Sequence, residues 1–246
     1  MIWQGTLGEL PITACFYDQE NGSNEGVYYY QEHLRPLRLV ELDEQAPNVV
    51  SEVLGRDQPN GFKWTIISKT KDSLSAVWSS EAAQYPIELT AFAVEYREYG
   101  TPCESKDFFE PLIAGGSTVE SRAALEGTAY TKLEYTGPDR LGEDSYLATS
   151  FALDPSEPGD AAINRALTEI LPDRSDENPM GECLGMSLPS GQLGYWTETL
   201  APALIAAQWL TVDRSGSAYC AGAHPSHFWD LKVFDRQTGK AAYTPA

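Results

Sequence analysis

The chain has 246 residues, of which 42% are hydrophobic and 11% aromatic, so it can build a sizeable packed core. It contains no run of about 18 apolar residues, which a transmembrane helix needs. Acidic residues outnumber basic ones 36 to 17, giving a formal net charge of −19. Such a field repels nucleic-acid phosphates and anionic lipids, so the composition argues against nucleic-acid binding and membrane insertion. It favours a basic protein partner, unless the charge serves solubility alone.

The first 101 residues are predicted to form a β-rich module, as a meander, sandwich or barrel. Val, Ile, Tyr, Trp and Thr concentrate in eight segments separated by turn-forming clusters such as DQPNG at 57–61. The segments are 2–7, 11–17, 26–32, 36–42, 48–54, 62–68, 73–79 and 86–96. Alternation predicts that Phe62, Trp64 and Ile66 share one face of their strand, and that Leu74, Ala76 and Trp78 share one face of theirs.

The region 100–127 mixes Gly, Pro and Ser with a short apolar patch and is predicted to be a connector, with a domain boundary near residue 102. Beyond it we expect strands at 128–136, 144–153, 193–199, 203–213 and 228–235. Apolar residues at helical spacing predict a helix over 159–171, with Asp160 as its N-cap. The predicted class is therefore α+β and mainly antiparallel β, with the β-rich module followed over 102–246 by a smaller domain that packs a helix on an antiparallel sheet.

The four cysteines, Cys15, Cys103, Cys183 and Cys220, are too far apart in sequence for a CxxC motif. Their even number and wide spacing indicate two disulfides formed in an oxidising compartment. Four cysteines permit three pairings, and we favour one bridge in each half, Cys15 with Cys103 and Cys183 with Cys220. The alternative is four buried free thiols.

The sequence lacks the glycine-rich dinucleotide and phosphate-binding motifs, HExxH and GxSxG. Asp139 and Asp154 could serve as paired carboxylates for glycoside hydrolysis, but a chain with 36 acidic residues offers many such pairs by chance. No catalytic residue and no cofactor is predicted.

Two of the three histidines lie in AHPSHFW, where His224 and His227 are candidate metal ligands with Asp230 as a third. Pro225 and the preceding small residues favour a turn, so the sequence does not fix where the imidazoles point. Cys220 with His224 is a conceivable nucleophile and base, but a cysteine held in a disulfide cannot attack a substrate.

The segment YCAGAHPSHFWDLKVFDRQTGK, over 219–240, resembles the C-terminal domain of bacterial envelope proteins. That family includes the ectodomain of the lysozyme-binding anti-sigma factor RsiV and an accessory domain of a peptidoglycan deacetylase. The first hundred residues, with WQGTLGELPITACF and GVYYYQEHLRPLRL, resemble a β-rich module of unassigned function that precedes this domain. The family usually continues beyond the position of Lys240, so the chain is expected to be truncated or to end in an incomplete sheet.

The resemblance implies a non-catalytic domain, periplasmic or extracellular, from which a leader has been removed. With the charge, it predicts binding to a basic cell-wall hydrolase, as a lysozyme-type inhibitor or as immunity to an antibacterial toxin. No transmembrane or sigma-binding segment is recognisable, so an anti-sigma role is not predicted. Acidic residues clustered on predicted loops are the candidate contacts: Asp18, Glu20, Glu25, Asp173, Asp176 and Glu177.

An alternative function is a carbohydrate or peptidoglycan-binding module. The run Tyr28, Tyr29, Tyr30, together with tryptophans, would form its stacking platform. Alternation along a strand sends Tyr28 and Tyr30 to one face and Tyr29 to the other, so at most two of the three can share a platform.

Overall fold

The chain divides into two compact units, and each is made of two separate stretches of sequence. The first contains Met1–Leu112 and Leu184–Gly194, and the second contains Ile113–Cys183 and Tyr195–Ala246. The computed structural model describes residues 1–18, 24–54, 58–92, 100–142, 145–174 and 178–243. The first unit therefore extends beyond the boundary predicted near residue 102, and the second is not the smaller of the two.

The first unit is a closed barrel of eight strands, each antiparallel to its neighbours, so the predicted β-rich module is a barrel. The strands are β1 (Ile2–Leu7), β2 (Leu10–Asp18), β3 (Asn24–Tyr30), β4 (Leu37–Val40), β5 (Val49–Leu54), β6 (Gln58–Lys69), β7 (Ser73–Ser79) and β8 (Gln84–Phe92). Strand β1 pairs with both β2 and β8, which closes the barrel and leaves it without an edge strand. The eight strands correspond to the eight predicted segments.

Alternating side chains fill the barrel interior. Trp3, Tyr28 and Trp64 are almost completely buried there, and the Tyr28 and Trp64 rings lie 4.8 Å apart. Leu74 and Ala76 belong to the same buried cluster, as their alternation predicts. The interior is a packed core of side chains, as in other small barrels.

The first part of the predicted connector, up to residue 112, belongs to the barrel unit. A disulfide joins Cys15 on β2 to Cys103, which lies in a short 3₁₀ turn, Pro102–Glu104. In helix α1 (Lys106–Ile113), the Phe108 ring lies 5.1 Å from that of Tyr29, whose hydroxyl donates to the Phe108 carbonyl at 3.2 Å. The buried apolar residues of 102–112 therefore keep this segment with the first unit, which composition alone does not reveal.

The second unit is built on a seven-stranded sheet in the order β15-β14-β13-β12-β11-β10-β9. Its strands are β9 (Ser117–Leu125), β10 (Thr128–Thr136), β11 (Tyr146–Leu153), β12 (Tyr195–Ile205), β13 (Trp209–Tyr219), β14 (Ser226–Asp235) and β15 (Lys240–Tyr243). Strand β9 lies in the region predicted to be a connector. The sheet is mainly antiparallel, as predicted, but β11 and β12 form a parallel pair that the prediction of an antiparallel sheet did not include. A parallel pair needs a long crossover, and the helix-containing segment between these strands supplies one.

The helical prediction is confirmed with shorter bounds. Helix α2 spans Asp160–Thr168, and its Ile163 and Leu167 pack into a buried cluster with sheet residues such as Leu200 and Val212. The N-cap is Gly159 and not the predicted Asp160. The Asp160 carboxylate instead accepts hydrogen bonds from the backbone N–H groups of Ser156 and Glu157. A further helix, α3, spans Pro179–Met186.

The second disulfide joins Cys183 to Cys220, so the favoured cysteine pairing is the one present. None of the helices in the described ranges is both long enough and apolar enough to cross a membrane.

Candidate functional site

One end of the barrel opens into a cleft of about 630 Å³. Its side-chain lining comes from the β1–β2 turn and from β3, β7 and β8, and includes Leu7, Glu9, Leu10, Tyr30, Trp78 and Tyr85. Most of this surface is apolar or aromatic, yet Leu10 is 50% and Tyr85 47% exposed. Apolar groups at a barrel mouth that are not covered by the chain's own core are typical of a binding site.

A row of aromatic rings crosses three neighbouring strands at this end of the barrel. Trp78 on β7 lies between Phe62 on β6, at 5.1 Å, and Tyr85 on β8, at 5.7 Å. Trp78 and Tyr85 are directly paired across their strands, and Phe62 is 38% exposed. Phe62 is instead a diagonal neighbour of Trp78, two residues before Trp64, which faces Trp78 on β6. Facing and diagonal positions on adjacent strands bring such side chains together, so the strand register builds the row.

The β1–β2 turn places a carboxylate at the rim of the cleft. Leu7 pairs with Leu10, which leaves only Gly8 and Glu9 in the turn. Gly8 has φ of 60°, a left-handed conformation that favours glycine at the first position of a two-residue hairpin turn. Its N–H donates to the Pro86 carbonyl at 2.7 Å, which anchors the turn to β8 and holds the exposed Glu9 beside the aromatic row.

A second carboxylate, Glu52, lies inside the barrel beneath the row and is only 3% exposed. Its Oε1 accepts hydrogen bonds from the Tyr28 hydroxyl at 2.6 Å and from Trp78 Nε1 at 2.8 Å. Its Oε2 accepts one from Asn60 Nδ2 at 3.1 Å. Among the described residues, no basic side chain forms an ion pair with Glu52. Neutral donors therefore hold a buried carboxylate at the N–H edge of the Trp78 indole.

The negative charge of Glu52 contributes to the raised pKa values of the neighbouring Tyr28 and Tyr30. Burial raises the pKa of Tyr28 far above its usual range, and the Glu52 charge raises it further. Burial also raises the pKa of Tyr30; a hydrogen bond with Tyr28 lowers it in part, and the Glu52 charge adds to the rise. Both phenols therefore stay neutral at physiological pH.

The tyrosine run divides as alternation predicts. Tyr28 and Tyr30 share the inner face, with rings 5.7 Å apart, whereas Tyr29 points outward against Phe108. Only Tyr30 lines the cleft, because Tyr28 and Tyr29 are buried in packing contacts. The run itself is thus not a platform; the accessible aromatic surface comes mainly from the row on β6 to β8.

Of the six acidic residues predicted as partner contacts, the structure describes the side chains of two, Glu25 and Asp173, which belong to different units. Glu25 lies within β3, where its carboxylate pairs with Arg38 at 2.9 Å and accepts from the Tyr17 hydroxyl at 3.0 Å. Asp173, in the second unit, accepts hydrogen bonds from the backbone N–H and the hydroxyl of Thr118. Glu20, Asp176, Glu177 and the side chain of Asp18 lie outside the described residues. A role in partner binding stays a prediction for all six.

The histidine pair lies at the start of β14. His224 is exposed in the preceding turn, with Nδ1 3.0 Å from the Pro225 carbonyl oxygen, and His227 is exposed on the strand opposite Ser217. Asp230, the proposed third ligand, is instead paired with Arg214 at 3.2 Å. Across the ranges that the structure describes, no three His, Cys, Asp or Glu side chains are grouped as metal ligands.

The two other chemical candidates are engaged elsewhere. Cys220 is held in its disulfide with Cys183, which removes the thiol that a Cys220–His224 pair would need. Asp154 forms a two-pronged ion pair with Arg122, whose Nη1 and Nη2 lie 2.9 and 2.5 Å from the two carboxylate oxygens.

Sequence reasoning missed Glu9, Glu52 and Tyr85. A signal for Glu52 was present in the segment VVSEVL, because alternation places it on the same face as the buried Val50. A carboxylate at an inward position of a strand departs from the apolar pattern and thereby marks a special site. No comparable signal singles out Glu9 or Tyr85, whose importance depends on the closure of β8 onto β1.

Comparison of the chain with protein-family models, with curated proteins and with solved structures gives no match.

Proposed function

We propose that the protein is a non-catalytic secreted or periplasmic binding protein that recognises a basic protein partner. The observation that carries this proposal is the surplus of carboxylates, 36 acidic against 17 basic residues. Even if every basic side chain formed an ion pair with an acidic one, a net charge of −19 would remain. Such a field accelerates encounter with a positively charged protein and disfavours acidic ones.

The two disulfides support an oxidising, extracytoplasmic compartment. Cys15–Cys103 and Cys183–Cys220 account for all four cysteines. Disulfides of this kind persist mainly in secreted and periplasmic proteins.

Within the class of basic proteins, the proposed partner is a cell-wall hydrolase, inhibited in the manner of a lysozyme inhibitor or of an immunity protein. The resemblance that we propose between residues 219–240 and envelope domains, one of which binds lysozyme, is the reason for this choice. The resemblance implies a basic hydrolase as partner, and a basic protein would be complementary in charge to this chain.

Isothermal titration of the protein with lysozyme, at low and at high salt, tests the proposal. We expect binding that weakens as salt rises, together with a loss of lytic activity of the hydrolase. Succinylated lysozyme, whose lysines carry negative charge, is the matched control and should not bind. Absence of binding at both salt concentrations would contradict the assignment to this class of hydrolase.

A second candidate function is binding of carbohydrate or peptidoglycan, which the exposed rings of Phe62 and Tyr85 beside Trp78 favour, since aromatic faces stack on sugar rings. Retention of the protein on purified cell-wall sacculi, without any protein partner, would support it. Release by soluble wall fragments would distinguish stacking at the barrel mouth from trapping of the protein.

A further inference from the structure

The chemistry of the barrel mouth is aromatic and anionic. Tyr30, Trp78 and Tyr85 contribute rings to the cleft, and Glu9 is the only charged side chain among the described residues that line it. None of these lining residues is basic. The site therefore offers ring faces and a negative rim, which together suit a positively charged group with an apolar stem.

The buried Glu52 strengthens this preference from below. It accepts the indole N–H of Trp78 at 2.8 Å, so a negative charge lies next to the ring at its hydrogen-bonding edge. A hydrogen bond to a carboxylate in a low-dielectric interior polarises its donor, and the indole becomes more electron-rich. Tryptophan is already the best aromatic residue for binding a cation over its face.

The same hydrogen bond makes the cleft less suited to a sugar. A sugar in a protein site is oriented by polar groups that pair with its hydroxyls, in addition to a stacking ring. The only side-chain donor of Trp78 is occupied by Glu52, and the remaining polar side-chain groups of the described lining are Glu9 and the two tyrosine hydroxyls. The lining is thus rich in apolar surface and poor in hydrogen-bonding groups.

We infer that the barrel mouth is the subsite that receives a lysine or arginine side chain of the basic protein partner, with its cationic group held by Tyr30, Trp78, Tyr85 and Glu9. This inference rests on the proposed function and adds a place and a mode of recognition. The overall charge brings the basic partner to the surface, and the cleft then anchors one of its long cationic side chains. Desolvated aromatic anchors of this kind contribute most of the affinity in many interfaces.

The direct test is an NMR titration of the intact protein with Nα-acetyl-lysine methylamide, observing the indole N–H of Trp78 and the rings of Tyr30 and Tyr85. The neutral comparison ligand is Nα-acetyl-norleucine methylamide, which has a similar stem but no ammonium group. We expect the lysine compound to shift these signals and to bind about five-fold more tightly than the norleucine compound. An N-acetylglucosamine oligomer serves as the carbohydrate probe.

Two variant pairs locate the site. Tyr85→Leu removes a half-exposed ring but keeps apolar bulk, and should weaken lysine binding about two- to five-fold, whereas Tyr85→Phe should retain it. Glu9→Gln should weaken binding by a similar factor. Glu88→Gln, an exposed position on β8 that does not line the cleft, changes the net charge equally and should have little effect. Unchanged circular dichroism and melting temperature would show that the variants are folded.

The proposal is overturned if the norleucine compound binds as tightly as the lysine compound, or if Glu9→Gln and Glu88→Gln have equal effects. It is also overturned if the N-acetylglucosamine oligomer shifts the Trp78 signal while the lysine compound does not, because the mouth would then be a carbohydrate site. Repeating the lysozyme titration with Tyr85→Leu separates the two proposals. Undiminished binding would leave the proposed function standing and place it elsewhere, whereas lysine binding at the mouth without lysozyme binding would support the subsite and reject the hydrolase.

Discussion

Each unit buries a carboxylate, and the two carboxylates differ in the charge of their hydrogen-bond donors. In the sheet unit, Asp160 is completely buried and is bridged by Arg236, whose Nε and Nη2 lie 2.9 and 2.7 Å from its two oxygens. In the barrel unit, Glu52 is nearly as buried, and its hydrogen-bond donors among the described residues, Tyr28, Trp78 and Asn60, are all neutral. The Asp160 charge is paired with a cation, whereas no cation in the described part of the chain pairs with Glu52.

The difference separates a structural carboxylate from one that imposes a charge on its surroundings. The Asp160–Arg236 pair ties helix α2 to the end of β14, and Arg236 also donates to the Ala206 carbonyl at 2.8 Å. Because the Asp160 and Arg236 charges are opposite and in contact, their electric fields largely cancel outside the pair. Glu52 has no ion-pair partner among the residues that the structure describes, and its negative charge lies at the N–H edge of Trp78, near the open end of the barrel. The sheet unit uses its buried charge for stability, and we interpret the barrel unit as using its buried charge for recognition.

Removal of a disulfide has the largest expected effect on the free energy of unfolding. Each bridge lies within one unit, so the two losses can be compared unit by unit. Replacing Cys15 and Cys103 by serine opens a loop with a sequence separation of 88, against 37 for Cys183 and Cys220. In the loop-entropy model these changes lower the free energy of unfolding by about 4.5 and about 4 kcal/mol, respectively. Urea unfolding monitored separately in each unit should show each loss in its own unit. A loss shared equally by both units for either pair would show that the units do not unfold independently.

Next in size is the loss of the arginine from the buried pair. Arg236→Met leaves the Asp160 carboxylate buried without its cation, which should lower the free energy of unfolding by about 3 to 5 kcal/mol. The double variant Asp160→Asn/Arg236→Met removes both charges and should recover much of that loss. Chemical denaturation of the three proteins measures both effects. A single variant that costs under about 1 kcal/mol would argue against the structural role of the pair.

Sequence patterns were sufficient where one periodicity acts over a whole element. The eight barrel strands and helix α2 follow from alternation and helical spacing, and the cysteine pairing follows from keeping one bridge in each half. Patterns failed in the region 100–127, which composition predicted to be a connector. The apolar residues of 102–112 belong to the barrel unit, and 117–125 form strand β9 of the sheet unit. They also could not reveal that β11 and β12 are parallel, because strand direction depends on the path of the intervening chain and not on local periodicity.

The candidate site illustrates the same limit. Tyr30 was identified by its type, but the cleft also requires Glu9 from a turn and Tyr85 from the last barrel strand, residues that are distant in sequence. Only closure of the barrel brings them together. The histidines, by contrast, were conspicuous by their type, and the structure leaves them exposed and without a third ligand among the residues it describes.

A smaller effect is expected when the charge of Glu52 is removed. In Glu52→Gln the amide oxygen still accepts from Tyr28 or Trp78, but both bonds lose their charge-assisted character, so unfolding should become easier by about 1 to 2 kcal/mol. No opposite charge is left buried, which is why the loss should be less than for Arg236→Met. Urea unfolding of the two variants side by side gives the comparison. Equal losses would mean that Glu52 is as structural as Asp160.

The smallest expected effect is the contribution of the Asp160–Arg236 pair to the acid sensitivity of the sheet unit. Burial alone would raise the pKa of Asp160, but hydrogen bonds from Arg236 and from the Ser156 and Glu157 backbone, with the Arg236 charge, outweigh it and leave the pKa below its usual value. A carboxyl whose pKa is lower in the folded protein binds protons more readily when unfolded. Its contribution to stability is therefore fully present above the unfolded pKa of about 3.9 and is lost as the pH falls through the folded value.

The free energy of unfolding of the sheet unit, measured from neutral pH to below pH 3, should accordingly decline in the acid range more steeply in the wild type than in Asp160→Asn/Arg236→Met. The double variant lacks the titrating group and its cation, so the difference between the two curves isolates the pair from the many exposed carboxylates that both proteins share. Parallel curves would show that the pair does not contribute to acid sensitivity. Convergence of the curves at low pH would show that the ion pair, and not the packing around it, distinguishes Asp160 from Glu52.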